Sequence, residues 1–138
     1  MKKTMKIGNL TVSYDIEKLV KGIHKVEWDL DEFDEGERND WDLDDMLTFE
    51  RKRKAFIHQL EKLDETLPTL FEKNITLTKA GKLSKARKND LIDSGLVNNF
   101  EYWEGTNYSW CSWALRVIDD GEGKVKLVLN NSKFSQGT

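Results

Sequence analysis

WDLDDMLTFERKRKAFIHQLEKLDETL, residues 41–67, carries the strongest periodic signal in this chain. Within it Met46, Phe49, Arg53, Phe56, Leu60, Leu63 and Leu67 recur at alternating intervals of three and four, the spacing that lines one face of an α-helix. One long helix over about 41–67 with a continuous apolar seam is therefore expected. Asp42, Asp44 and Asp45 crowd its first turns, where the positive end of the helix dipole favours acids. Arg53 interrupts the seam. In a helical interface between copies such a position specifies the oligomer, whereas in a monomer it needs an internal acid. Thr66-Leu67-Pro68 is expected to end or kink the helix, because the residue before a proline is pushed out of the helical region.

Upstream, Thr4 to Tyr14 read as a β-hairpin. Met5 and Ile7 on one side of a Gly8-Asn9 turn, and Leu10, Val12 and Tyr14 on the other, alternate with polar residues. Asp15 is placed to cap a short helix from Ile16 to about His24, since Ile16, Leu19, Val20 and Ile23 fall at helical spacing. From Val26 the period shortens: Val26, Trp28 and Leu30 alternate with Glu27, Asp29 and Asp31, which predicts an extended segment followed by a loop over Glu35–Asp40.

Downstream, Leu70-Phe71 and Ile75–Leu77 supply core side chains in a short helix and a strand, and Thr78–Gly81 turns the chain. Ser84 caps a second, basic helix reaching Asp93, closed by a glycine stop at Ser94-Gly95-Leu96. The remainder reads as a three-stranded antiparallel meander, Asn98–Trp103, Tyr108–Ile118 and Lys124–Leu129, with a polar tail from Asn130 to Thr138 that frays. Alternation assigns Ser109, Cys111, Trp113, Leu115 and Val117 to the core, and leaves Tyr102, Tyr108 and Trp110 for an exposed aromatic patch. The fold class is α+β, with helices packed on a small antiparallel sheet.

At 138 residues and 16.1 kDa the chain has the size of one domain spanning 1–138. The single proline, Pro68, and the lack of a Ser/Gly/Pro-rich stretch give no linker to divide it. One cysteine, Cys111, cannot form an internal disulfide, the basic start resembles no signal peptide, and no run reaches a membrane span's length. A soluble cytoplasmic protein is expected.

Charge is the main functional clue. Between Glu27 and Asp45 eleven carboxylates face one base, Arg38, so these nineteen residues sum to −10. The other 119 hold twenty-one bases and fourteen acids, +7, and the total of −3 conceals a dipolar molecule. Trp28-Asp29-Leu30-Asp31-Glu32-Phe33 recurs thirteen residues later as Trp41-Asp42-Leu43-Asp44-Asp45-Met46. One reading is a biased, solvated stretch. Another is an exposed array imitating nucleic-acid phosphates, able to occupy a basic groove on a nucleic-acid-handling protein such as a nuclease. In it Asp29, Asp31, Glu32, Asp34, Glu35, Glu37, Asp40 and Asp42 supply charge, and Phe33 and Trp41 are apolar anchors. A calcium loop fails on spacing: with Gly36 at the obligatory glycine, Phe33 falls where an oxygen ligand is required. No metal and no cofactor is expected.

The opposite pole is Arg51–Lys54 together with Lys79, Lys82, Lys85, Arg87 and Lys88. A basic helix over 79–88 followed by an aromatic hairpin has the outline of a winged-helix nucleic-acid reader, although a sequence pI near 5.5 opposes that reading. Catalysis has little support: His24 and His58 both fall on expected helices as structural histidines, and no nucleophile, phosphate-loop or zinc spacing is present. The expectation is a non-enzymatic binding protein or inhibitor, of the kind a phage anti-defence or immunity protein represents. The alternatives are a nucleic-acid binder using the basic helix and a structural subunit of a homo-oligomer.

Overall fold

The computed structural model describes residues 2–33, 43–104, 109–121 and 123–134, and its fold is α+β. In chain order the described elements are β1 (Lys2–Ile7), β2 (Leu10–Asp15), α1 (Ile16–Phe33), α2 (Leu43–Glu61), α3 (Leu63–Asn74), α4 (Lys85–Asp93), β3 (Val97–Glu104), β4 (Ser109–Gly121) and β5 (Lys124–Phe134). The strands form one sheet in the order β1-β2-β5-β4-β3.

The N-terminal hairpin closes as the sequence predicts, with Ile7 opposite Leu10 across the two-residue turn. Gly8 has φ +60°, and a Cβ on it would lie 1.8 Å from the Gly81 carbonyl oxygen, so only glycine fits where this turn meets the loop before α4. Asn9 Oδ1 completes that junction by accepting from Leu83 N–H at 3.1 Å.

Asp15 caps α1, its Oδ1 accepting from Lys18 N–H at 3.2 Å. That bond is the main reason the carboxyl is held below its ordinary pKa. The helix then runs on to Phe33, where an extended segment was expected from Val26. Ile16, Leu19, Ile23, Val26 and Leu30 also recur at three and four, and with no proline or glycine between Gly22 and Phe33 the longer period prevails. Gly22 brings α1 onto the sheet, since a Cβ there would meet Leu129 Cδ2 at 2.7 Å.

The single helix expected over 41–67 is two helices. Lys62 leaves helical geometry at φ −95°, ψ 18°, and its carbonyl accepts from both Glu65 and Thr66 N–H, at 3.0 and 3.1 Å. Pro68 lies inside α3 rather than at its end. Having no N–H, it forfeits the bond to residue 64, and its ring crowds that carbonyl. The apolar seam survives the break, with Phe49, Phe56, Leu60, Leu63, Leu67 and Phe71 all buried. Ile75–Leu77 is loop rather than strand, and the Thr78–Gly81 turn follows it, closed by Gly81 N–H to Thr78 O at 2.8 Å. Ser84 caps α4 by accepting from Arg87 N–H at 3.2 Å. At the other end the stop is extended Ser94, whose hydroxyl donates to Leu91 O, instead of a left-handed glycine.

Strands β3, β4 and β5 pair antiparallel in chain order, but they do not form a free-standing antiparallel sheet. Thr11, Val12 and Ser13 of β2 pair in parallel with Lys124, Val125 and Lys126 of β5, which joins the hairpin to the C-terminal strands in one mixed sheet. β5 also extends beyond Leu129: Asn130 to Phe134 pair with Ala114 to Trp110, so this part of the expected tail is strand.

All four described helices contribute to one core on one face of the sheet. At its centre Trp113 is fully buried, stacked on Phe100 at 4.2 Å and flanked by Phe56 and Phe49 at 6.4 and 6.1 Å. Trp113, Leu115 and Val117 point into this core as alternation predicts. The side chains of Ser109, Cys111, Tyr102 and Trp110 lie outside the described ones, as does the whole of Tyr108.

The hairpin is tied to the helical layer by a three-residue clip. The Tyr14 hydroxyl donates to Asp64 Oδ1 at 2.5 Å, and Lys3 Nζ bonds the other oxygen of the same carboxylate. Burial, then the Asp64 contact, pushes the Tyr14 phenol up to about 12, while Lys3 and Tyr14 hold Asp64 below the usual carboxylate range. Because the phenol pKa rises on folding, this contribution to stability is complete below pH 10 and is lost as pH climbs through about 12. An ultraviolet titration of the folded protein should show a phenolate phase near pH 12 that Tyr14→Phe removes. In acid the sign reverses: the Tm advantage of wild type over Asp64→Asn should shrink as pH falls through the lowered carboxylate pKa.

Candidate partner-binding surface

The acidic run of the sequence straddles the end of α1 and the start of α2. Asp29, Asp31, Glu32 and Phe33 fall on the last turns of α1; their side chains lie outside the described ones. Asp34, Glu35, Glu37, Asp40, Trp41 and Asp42 lie outside the described residues. The helix changes what the sequence implied about the first group. Positions 29 and 31 share a face in a strand but stand about 200° apart on an α-helix.

Helix polarity matters more. A helix C-terminus carries a partial negative charge, and each acid placed there costs about 0.3–1 kcal/mol at the surface. Asp31 and Glu32 sit in the last turn of α1, which holds no basic residue. The dipole opposes these two acids, whereas it favours Asp44 in the first turn of α2.

Beside Asp44 stand the two most exposed large hydrophobics among the described residues, Leu43 at 69% and Leu47 at 58%. Four residues apart, they share one face of α2 and turn it to solvent. They lie off the buried Phe49-Phe56-Leu60 stripe. Leu43 was visible in sequence as one of the hydrophobes threaded through the acids; Leu47 was missed. The signal for it is a second short i, i+4 pair out of phase with the core seam.

Of the basic residues, Arg53 is half-buried and bonds Glu50 one turn back at 2.6 Å, so its own helix supplies an acid. The basic helix expected over 79–88 begins only at Lys85, with Lys79 and Lys82 in the preceding loop. Lys79, Lys82, Lys85 and Arg87 are exposed. Lys88 is instead tied to β4, reaching Asp119 Oδ1 at 3.2 Å and the Gly121 carbonyl at 3.4 Å. Asp119 is held below its ordinary pKa first by Gly121 N–H and then by Lys88.

His24 and His58 lie on α1 and α2, as expected, and both are exposed. Among the described residues no group of three His, Cys, Asp or Glu side chains could hold a metal ion, and no helix is long and apolar enough to cross a membrane. A pocket of about 270 Å³ opens beside the α2–α3 break, lined by Gln59, Glu65, Thr66, Thr69 and Leu70. Its lining combines one carboxylate with an amide, two hydroxyls and a leucine. Compared with known family models, curated proteins and solved structures, the chain matches none.

Leu43→Gln with Leu47→Gln should change unfolding free energy in urea by no more than about 0.5 kcal/mol, the range of surface substitutions. Phe49→Ala, two residues further along the same helix but buried, should cost about 3–5 kcal/mol.

Proposed function

We propose that this chain is a non-enzymatic, cytoplasmic binding protein that engages a basic, nucleic-acid-handling protein such as a nuclease through its acidic surface, as a phage anti-defence or immunity protein would. The observation that carries the reading is the placement of Asp31 and Glu32 in the last turn of α1, which disfavours acids, together with a following helix whose Leu43 and Leu47 are left in water. Acids kept where they weaken their own helix, next to unburied leucines, fit a surface whose energetic return comes from a partner.

In this reading the carboxylates of 29–42 take the place of nucleic-acid phosphates in the partner's basic groove. The gain comes from releasing counterions and from complementary fields that steer the encounter. Phe33 and Trp41 act as anchors, and the leucine pair adds apolar area worth about 1.5–3 kcal/mol per side chain when fully covered.

The test uses the partner recovered by co-purification from the native host, with affinity measured calorimetrically. The fourfold variant Asp29→Lys, Asp31→Lys, Glu32→Lys and Asp34→Lys should lose at least about a hundredfold in affinity, as reversal of several complementary charges requires. The same changes put cations at the C-terminal end of α1, so the variant should melt no lower than wild type. Loss of binding therefore cannot be ascribed to unfolding, and an unchanged affinity sinks the proposal.

A further inference from the structure

β1 stands at one edge of the sheet, and among the described strands none pairs with its outer side. Which backbone groups that edge presents follows from a bond on the far side of β2. Thr11 N–H is donated to the Gly123 carbonyl at 3.1 Å, toward β5. Backbone groups alternate sides along a strand, so Thr11 and Ser13 turn theirs to β5, while Leu10, Val12 and Tyr14 bond Ile7, Met5 and Lys3 of β1. Lys2, Thr4 and Lys6, opposite Asp15, Ser13 and Thr11, are left with their N–H and C=O groups directed away from the sheet. No backbone hydrogen bond from a described loop reaches them.

The side chains of the same three residues are exposed. Lys2 and Lys6 lie on one face of β1, about 13 Å apart at strand rise, with Thr4 between them. Neither lysine forms an ion pair with a described residue. Asp15, the acid opposite Lys2, is engaged at the α1 cap, and Lys3 is held by Asp64 on the other face. On that other face Met5 and Ile7 are only partly buried, at the rim of the core. At the turn end Leu77, 39% exposed, comes within 3.3 Å of the position a Gly8 Cβ would take. The edge therefore offers unpaired amides flanked by cations on one side and by an apolar shoulder on the other.

We infer that the β1 edge takes up an extended acidic segment of another protein as an added antiparallel strand, with acids opposite Lys2 and Lys6 and apolar residues beside Met5 and Ile7. Main-chain hydrogen bonds to Lys2, Thr4 and Lys6 supply the adhesion, and the alternation of acid and apolar side chains supplies the selectivity. A like strand is refused. Antiparallel pairing of two copies of β1 about Thr4 sets each Lys2 against a Lys6, and like charges directly opposite one another destabilise a pair. The lysines thus exclude a second copy through this edge and admit an acid-bearing strand. The edge is separate from the acidic surface of α1 and α2 and stands whether or not that surface binds a protein.

Fluorescence anisotropy of the full chain with the fluorescein-labelled peptide Glu-Val-Glu-Val-Glu tests it at low salt. Binding is expected, and N-methylating the three glutamate amides, which leaves every charge in place, should weaken it at least about tenfold, because those N–H groups face β1. N-methylating the two valine amides, which point away from the sheet, should leave it within about twofold. Lys2→Glu with Lys6→Glu should weaken binding at least about tenfold, while the same charge change on α2, Lys52→Glu with Lys54→Glu, should leave it within about twofold. Thr4→Pro removes an outward N–H and spares the β1–β2 ladder, so it should keep the fold and also lose at least about tenfold. Circular dichroism melts confirm that each variant is folded; should Thr4→Pro unfold, the lysine variant and the methylated peptides carry the test. The inference is overturned by absence of binding at low salt, by equally tight binding of the glutamate-methylated peptide, or by an equal loss in the Lys52/Lys54 variant. Light scattering showing a dimer that Thr4→Pro dissociates, with no peptide binding, overturns it in favour of a second copy of the chain.

Discussion

Thr11 N–H donates to the Gly123 carbonyl at 3.1 Å, and from that bond β2 and β5 run side by side in parallel. The rest of the architecture depends on this pairing. A hairpin alone is marginal in water, and β3, β4 and β5 alone would leave β5 as an open edge. Joined through β2 and β5, they form a five-stranded sheet broad enough to carry all four described helices on one face. A parallel pair requires a long crossover, and here the whole helical layer and two strands intervene between the partners.

The pairing also creates a molecule with two different sides. The face toward the helices is apolar and centred on Trp113, with Phe49, Phe56 and Phe100 contributing ring contacts worth about 0.5–1.5 kcal/mol each beyond area. The other face is hydroxyl-rich and cationic. Acids gather on the helical side, at the end of α1 and the beginning of α2. Opposite charges on one small chain can be tolerated when each occupies its own layer, since screening limits their interaction beyond about 8–10 Å at ordinary salt. The ion pairs Arg53 with Glu50, Lys88 with Asp119 and Lys3 with Asp64 lie within the helical layer or between it and the sheet.

Much of this was readable in the residues. The Gly8-Asn9 hairpin, the caps Asp15 and Ser84, the Thr78–Gly81 turn and the buried alternation at Trp113, Leu115 and Val117 follow from short-range chemistry, and short-range chemistry is what a sequence displays. The errors occur where one pattern serves two structures. Val26, Trp28 and Leu30 satisfy a period of two over five residues, but Ile16 to Leu30 satisfy the helical period over fifteen, and the longer register prevailed. The apolar residues of the seam stay buried from Phe49 to Leu67, but the helix that carries them is two, because the same spacing is compatible with a straight helix or with two helices meeting at Lys62. Of the acidic surface, composition located the segment; the polarity of α1 and the solvent-facing Leu43 and Leu47 needed the fold.

Composition, period and turn chemistry by themselves determined the α+β class, the positions of most element starts, and the segregation of charge along the chain. These are properties of neighbours, set by backbone sterics and side-chain alternation. Tertiary structure alone decided that β2 pairs in parallel with β5, that Asn130 to Phe134 are strand, and that Lys6, Lys124 and Arg116, far apart in sequence, share a face. Each of those depends on a contact between distant segments, whose free energy comes from burying one shared core and is encoded in no local window of residues.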